Sequence, residues 1–302
     1  MNKTSDSKTG YILLGLLVTF LWATSWVLVK WGLEDIPPVV FAGLRYFIAF
    51  LALLPFVLNK KQLAKIAKLG KRDWLNLILL GTLYYAITQG AQFAGLAVLP
   101  AMTVSLILSF TSIFVAAFGM IWLGEKPTWL QWLGLGLNLL GAYLYFFPVE
   151  IPRQHLAAVL IVFVGMLGNS VSMIISRKVN REAILPPVTV TTISMGIGAI
   201  LLLAAGLGLE GIPQISGRNW LFILWMSLIN TALAFTLWNK VLQVLEAMEA
   251  SIINNTIMVQ IAVLAWLVLG EGLSGMDIVG VALAALGAIL VQIKPQKRAA
   301  KN

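Results

Sequence analysis

Polar side chains recur at helical spacing inside long apolar runs of this chain, and their types suit the binding of a small molecule. Tyr85, Gln89 and Gln92 stand at i, i+4 and i+7, one stripe of a helix. Ser105, Ser109 and Ser112 repeat that spacing, and 146 residues later the matching positions are Ser251, Asn255 and Met258. Asn169 and Asn230 add carboxamides within two further runs, and Tyr84 occupies the position that matches Asn230. An uncompensated polar group in hydrocarbon is costly, so such side chains face other helices or a wet cavity. Singly, each could be interhelical hydrogen-bonding glue. Together, the stripes predict the lining of a central cavity.

Arg45 is the one basic residue inside a run. Its planar fork can bind a substrate carboxylate or other anion bidentately; pairing with carbonyls is the structural alternative. Trp22, Tyr84 and Tyr85 would accept a molecule with ring or apolar parts, or else serve as core packing. No Asp or Glu stands near the centre of a run. Glu249, at the start of a run over 248–269, is the remaining acid for proton coupling, with facilitated diffusion as the competing mechanism. Glu125 and Glu271 stand at run ends, where they are expected to cap or pin helices. A single histidine and no cysteine exclude a histidine or thiolate metal cluster. No G-x-x-x-x-G-K-[ST] is present to bind ATP, so no cofactor is expected.

The elements that must hold these residues follow from composition. Of 302 residues, 60% are hydrophobic and 11% charged, far from the balance of an ordinary soluble domain. Ten apolar runs are predicted as membrane helices, at about 11–31, 38–58, 73–95, 99–122, 129–147, 155–176, 186–206, 218–241, 248–269 and 275–293. They are too long for barrel strands and lack alternating polarity, and a helix satisfies its own backbone in lipid. The fold class is therefore an all-α polytopic membrane protein.

A net charge of +9 does not indicate nucleic acid here, because the basic residues fall between the runs. Seventeen of the 21 Lys and Arg residues fall on one side of the array, while Lys30, Arg153 and Arg218 fall on the other. Cytoplasmic loops carry the positive excess, which puts both termini in the cytoplasm. Trp31, Trp74, Trp129 and Trp220 are expected as interfacial anchors.

An internal repeat is visible at an offset of 146. Gly124-Glu125 recurs as Gly270-Glu271, and Gly134, Gly141, Ala142 and Leu144 recur as Gly280, Gly287, Ala288 and Leu290. Leu99, Ala101, Met102 and Ser105 fall on Leu245, Ala247, Met248 and Ser251; Pro37-Pro38-Val39 recurs as Pro186-Pro187-Val188 at an offset of 149. Five runs per half make the halves run in opposite senses, the inverted repeat common among secondary transporters. The expected organisation is a tail at 1–10, a five-helix repeat at 11–147, an outer linker at 148–154, a second repeat at 155–293 and a basic tail at 294–302. Small residues every fourth position, Gly134, Asn138 and Ala142 with Gly280, Ala284 and Ala288, predict close helix packing, within one chain or between two.

The Leu-Gly-Glu sequences at 123–125 and 269–271, each followed by a Gly-rich run, resemble the drug/metabolite transporter superfamily, specifically its EamA-type ten-helix exporters. Ile12–Lys30, with Trp22 and Ser25, and Pro38–Arg45 are similar to that family's first two helices. Ser112 and Met258 stand where the family often has a proline. The resemblance implies a secondary transporter in a bacterial-type inner membrane, exporting small metabolites such as amino acids or related amphipathic compounds by alternating access. Broad drug or organic-cation efflux is the alternative. An intramembrane enzyme finds no support in motif: H-E-x-x-H and G-x-S-x-G are absent, and His155 has no Ser or carboxylate partner close in sequence. Oligomeric state stays open.

Overall fold

The structure, a computed structural model, describes residues 3–32, 36–99, 101–147, 155–269 and 274–292. Helices make up the fold, with no strand among the described residues. In order they are α1 (Lys3–Gly32), α2 (Pro38–Val57), α3 (Lys60–Ile66), α4 (Lys71–Leu80), α5 (Gln89–Val98), α6 (Ala101–Ser109) and α7 (Thr111–Leu123). Then follow α8 (Trp129–Phe146), α9 (Leu156–Glu182), α10 (Pro187–Glu210), α11 (Gly217–Trp225), α12 (Ala234–Val241), α13 (Ala247–Leu269) and α14 (Gly275–Gln292). Two π-helical segments, π1 (Gly81–Thr88) and π2 (Met226–Leu233), join α4 to α5 and α11 to α12 without a break. Among the described residues, seven stretches are long and apolar enough to cross a membrane. The protein is an integral, polytopic membrane protein.

Helix ends follow from local chemistry. Thr128 and Gln131 form a capping box at the start of α8, with Gln131 N–H donating to Thr128 Oγ1 and Thr128 N–H to Gln131 Oε1 (2.8 Å). Gly124 ends α7 in the left-handed region at φ 65°, a conformation in which a Cβ is disfavoured. Pro38 opens α2, whose N-cap residue Pro37 supplies no side-chain cap. Glu210, from the far end of α10, substitutes: its carboxylate accepts from Val39 N–H (3.1 Å) and Val40 N–H (2.8 Å).

Boundaries depart from the pattern of runs in four places. Helix α1 starts at Lys3, within the expected tail, and α9 continues to Glu182. The basic stretch after α2 folds into α3, capped by Asn59 Oδ1. The run at 99–122 is broken at Phe110, whose N–H turns back to Ile107 O, although no proline stands there. The linker at 148–154, the tail at 294–302 and Gly270-Glu271 lie outside the described residues, as do the side chains of Lys30 and Trp31. Trp74, Trp129 and Trp220 are exposed.

Two antiparallel pairs make backbone-to-backbone contact. In α2 and α10, a Cβ on Gly43 would stand 2.7 Å from Leu203 Cα, and one on Gly206 2.7 Å from Val40 N. In α8 and α14, a Cβ on Gly134 would stand 2.7 Å from Gly287 O, and one on Gly280 2.6 Å from Tyr145 N. The small-residue faces of α8 and α14 therefore pack on each other within one chain. Lipid tails are as apolar as leucine, so such close approach is what holds membrane helices together.

Gly141→Leu tests this seam, because Ala284 N and Gly280 O occupy the space a side chain would need. Overpacking of this kind costs about 1–3 kcal/mol. The thermal midpoint in detergent is expected to fall, whereas Gly136→Leu, on a face open beyond 4 Å, leaves it unchanged.

Candidate functional site

A cavity of about 120 Å³ opens between the helices, many times the ~10–15 Å³ that one water needs. Its wall is built by Trp22 and Ser25 of α1, Arg45 and Tyr46 of α2, Tyr84 and Thr88 of π1, and Gln89 and Gln92 of α5. Phe93 of α5, Ser105 and Ser109 of α6, Asn169 of α9, Phe235 of α12, and Asn254 and Asn255 of α13 complete its polar and aromatic parts. No carboxylate lines it among the described residues.

Segment π2 explains how Arg45 is held. Ala234 N–H reaches back five residues to Ile229 O rather than four to Asn230 O. Asn230 O instead accepts from Trp22 Nε1 (3.1 Å) and Arg45 Nη2 (3.3 Å). Arg45 Nε donates to Thr231 Oγ1 at 2.7 Å, and the guanidinium carbon lies 5.6 Å from the Tyr46 ring centroid. The wider π turn thus frees a carbonyl at the level where a cation and an indole need an acceptor, a common use of such bulges. In π1 the equivalent service is Thr88 Oγ1, which lies 2.8 Å from Leu83 O and 3.0 Å from Gly165 O.

Asn255 bridges elements. Its Nδ2 is within hydrogen-bond distance of Ser109 O (3.0 Å), Ser112 Oγ (2.8 Å) and Asn138 Oδ1 (2.9 Å). Asn138 in turn donates to Ala284 O at 3.1 Å.

Of the side chains expected to line a cavity, Arg45, Trp22, Tyr84, Gln89, Ser109, Asn169 and Asn255 are brought together at this wall. Tyr85 and Asn230 stand behind it. Tyr85 is fully buried against Tyr46, Tyr84 and Phe235, and the Asn230 carboxamide donates to Leu21 O and Thr24 Oγ1 on α1. Glu249 is also away from the cavity: it is fully buried, pairs with Lys8 Nζ at 2.7 Å and caps Glu246 N–H. Tyr46, Thr88, Asn254 and Phe235 were not singled out by spacing, although Tyr46, Thr88 and Asn254 each adjoin a residue that was.

At the end of the bundle that holds Lys8, a second polar cluster closes the helices together. Glu125, from the first Leu-Gly-Glu sequence, accepts from Ala247 N–H through both oxygens (3.3 and 3.0 Å), a carboxylate at the positive end of α13. Arg177 joins Glu125 Oε1 (3.5 Å) to Leu242 O (2.7 Å). Nearby, Asn239 Oδ1 accepts from Ser176 Oγ (2.8 Å) and Asn180 Nδ2 (2.6 Å), while its Nδ2 donates to Thr191 Oγ1 (2.8 Å). On α1 and α13 the cavity residues follow this cluster along the helix, and on α9 Asn169 precedes it, so the cluster lies toward one end of the space. Burial pushes the Glu125 carboxyl above its ordinary value, against the opposing pull of Ala247 N–H and Arg177.

The model of the EamA-like transporter family matches residues 9–147 and again 156–293. The chain belongs to the EamA-like transporter family, and it is a membrane transporter for a small-molecule substrate. A Bacillus subtilis protein named "Uncharacterized transporter YoaV" is 27% identical over 287 residues, covering 91% of this chain and 94% of the relative. A Salmonella typhimurium protein named "Probable amino-acid metabolite efflux pump" is 25% identical, covering 93% of each. A solved crystal structure superposes with a TM-score of 0.79 at 17% identity, over 94% of this chain and 96% of the other, which establishes the likeness of fold.

A carboxyl whose value rises on folding holds its proton more tightly in the folded state, so stability falls as pH rises from the ordinary carboxylate range through the raised value. Thermal scans across that window are expected to show this decline for Glu125. Glu125→Gln, which keeps an oxygen for Ala247 N–H, flattens the slope; a variant profile as steep as the parent's would assign the decline to other groups.

Proposed function

We propose that the protein is a secondary exporter of small metabolites, amino acids or related amphipathic compounds, working by alternating access between two inverted five-helix repeats. In this reading the ten runs are ten spans, the repeats occupy 11–147 and 155–293, and the termini face the cytoplasm of a bacterial-type inner membrane. The observation that carries it is the meeting of repeat mates beside the cavity. Ser109 and Asn255, 146 residues apart, touch through Asn255 Nδ2 and Ser109 O, and Asn138 touches its own mate Ala284. Residues related by a twofold meet one another only near its axis. Reciprocal contacts of Gly134 with Gly287 and of Gly141 with Gly280 agree with the same axis, as do π1 and π2, which begin 145 residues apart.

A binding site at such a repeat interface is the usual arrangement in transporters of this design. The cluster of Glu125, Arg177, Lys8 and Glu249 then closes the cytoplasmic end, and its release exposes the cavity to the other side. Amino-acid metabolites enter the reading through the printed name of the Salmonella relative. Organic cations fit less well, since the wall carries Arg45 and no carboxylate among the described residues. For the same reason transport down the substrate's own gradient is preferred to proton coupling through Glu249.

Counterflow in proteoliposomes tests the proposal. At least one class among labelled amino acids and their oxo, amide and acyl derivatives is expected to accumulate in liposomes preloaded with the same compound, above protein-free controls. Gln89→Leu, at a wall position with no protein hydrogen bond to lose among the described residues, should lower the rate about tenfold with an unchanged thermal midpoint. No exchange of any of these compounds would overturn the assignment.

A further inference from the structure

The cavity has one fixed charge and an edge of it unused. Arg45 is 4% exposed, and its Nε and Nη2 are committed to Thr231 Oγ1 and Asn230 O, both on π2. Those two bonds occupy the side edge of the guanidinium and fix its plane. The end edge, formed by Nη1 and the second hydrogen of Nη2, has no protein partner among the described residues, and Arg45 is part of the cavity wall. Two parallel N–H groups on a rigid plane are the complement of a carboxylate.

Among the described residues the remainder of the wall is neutral. Gln89, Asn169 and Asn255 offer carboxamides, and Trp22 and Tyr84 flank Phe235 at ring separations of 5.0 and 5.4 Å. A buried cation without a counter-charge is costly, and a ligand that brings one negative charge removes that cost. An ammonium group would instead add a second positive charge to a space that offers it neutral acceptors only.

We infer that this cavity selects organic monoanions, carboxylates that carry no free ammonium group, with the carboxylate on the open edge of Arg45 and a ring or alkyl body against Trp22, Tyr84 and Phe235. Oxo acids, hydroxy acids and N-acylated amino acids belong to this class; zwitterionic amino acids and amines do not. The inference rests on the reading that the cavity is the transported molecule's site.

Three probes that share a phenylethyl skeleton distinguish the possibilities: 3-phenylpropanoate, L-phenylalanine and 2-phenylethylamine, titrated calorimetrically against the full chain in lipid nanodiscs. The propanoate is expected to bind at least about tenfold more tightly than the other two, because the amine lacks the charge-assisted pair and the zwitterion must desolvate an ammonium beside Arg45 without a counter-charge. Arg45→Gln should abolish that preference, and Arg45→Lys, which keeps the charge but loses the fork, should restore part of it. L-Phenylalanine or the amine binding as tightly as the propanoate in the parent protein would overturn the inference, whatever the variants do. So would a carboxylate preference that survives in a folded Arg45→Gln protein. Counterflow separates this failure from that of the transporter assignment. Exchange of zwitterions but not monoanions sinks the monoanion inference alone; propanoate binding without exchange of any compound sinks the transport reading.

Discussion

The backbone carbonyl of Asn230 is the acceptor on which the interior depends. A chain embedded in lipid must satisfy its polar groups internally, and a cation and an indole N–H that converge in the bundle need an oxygen released from the backbone ladder to accept both. Segment π2 supplies it by shifting one backbone bond from Asn230 O to Ile229 O. Trp22 and Arg45, which belong to the first family-matched segment, are thereby tied to the second. Because Thr231 follows directly, the guanidinium receives two anchors from adjacent residues and its plane is set. Aromatic packing of Trp22 on Phe235 and Trp238, at 5.0 and 5.3 Å, then fixes the opposite wall.

Around that core, cohesion comes from shape. The antiparallel pairs α2 with α10 and α8 with α14 approach so closely that a single methyl group would strike backbone at Gly43, Gly206, Gly134 and Gly280. Glu210 adds an electrostatic register, because its carboxylate caps the first turn of the helix that carries Arg45. The polar cluster of Glu125, Arg177 and Leu242 O plays a comparable part at the end near Lys8, where helix termini otherwise leave carbonyls and amides unmatched.

Much of this was legible in the chain. Apolar runs against sparse charge locate the helices, and a polar residue in such a run has few options, so the spacing of Gln89, Ser109 and Asn255 and the isolated charge of Arg45 point to side chains that meet at the cavity wall. The misplacement of Tyr85 has a specific cause. A stripe drawn at 3.6 residues per turn passes through Tyr85, Gln89 and Gln92, but π1 inserts one extra residue ahead of Gln89, and the face toward the cavity becomes Tyr84, Gln89 and Gln92. Asn230 was misread for the same reason in π2: its carbonyl serves the site while its side chain faces α1. No proline marks either bulge, nor the break at Phe110. Glu125, expected at a run end to cap or pin a helix, caps α13, but its partners are not legible, since the bonds of the Glu125–Arg177–Asn239 region join residues 48 to 122 positions apart.

Mechanically, the bulged helices differ from the glycine-locked pairs as joints differ from struts. A strut whose partner sits against its backbone can neither slide nor roll without collision, so α8 and α14 transmit displacement rigidly. A π turn stores one residue of slack, and moving that slack along the helix rotates each residue it passes by about 100° while the helix ends stay fixed. Of the two bulges, π1 is itself held against α10 by close contact at Gly81 and Gly198, so the torsional slack concentrates in π2, which contains no glycine and carries the Arg45 anchor.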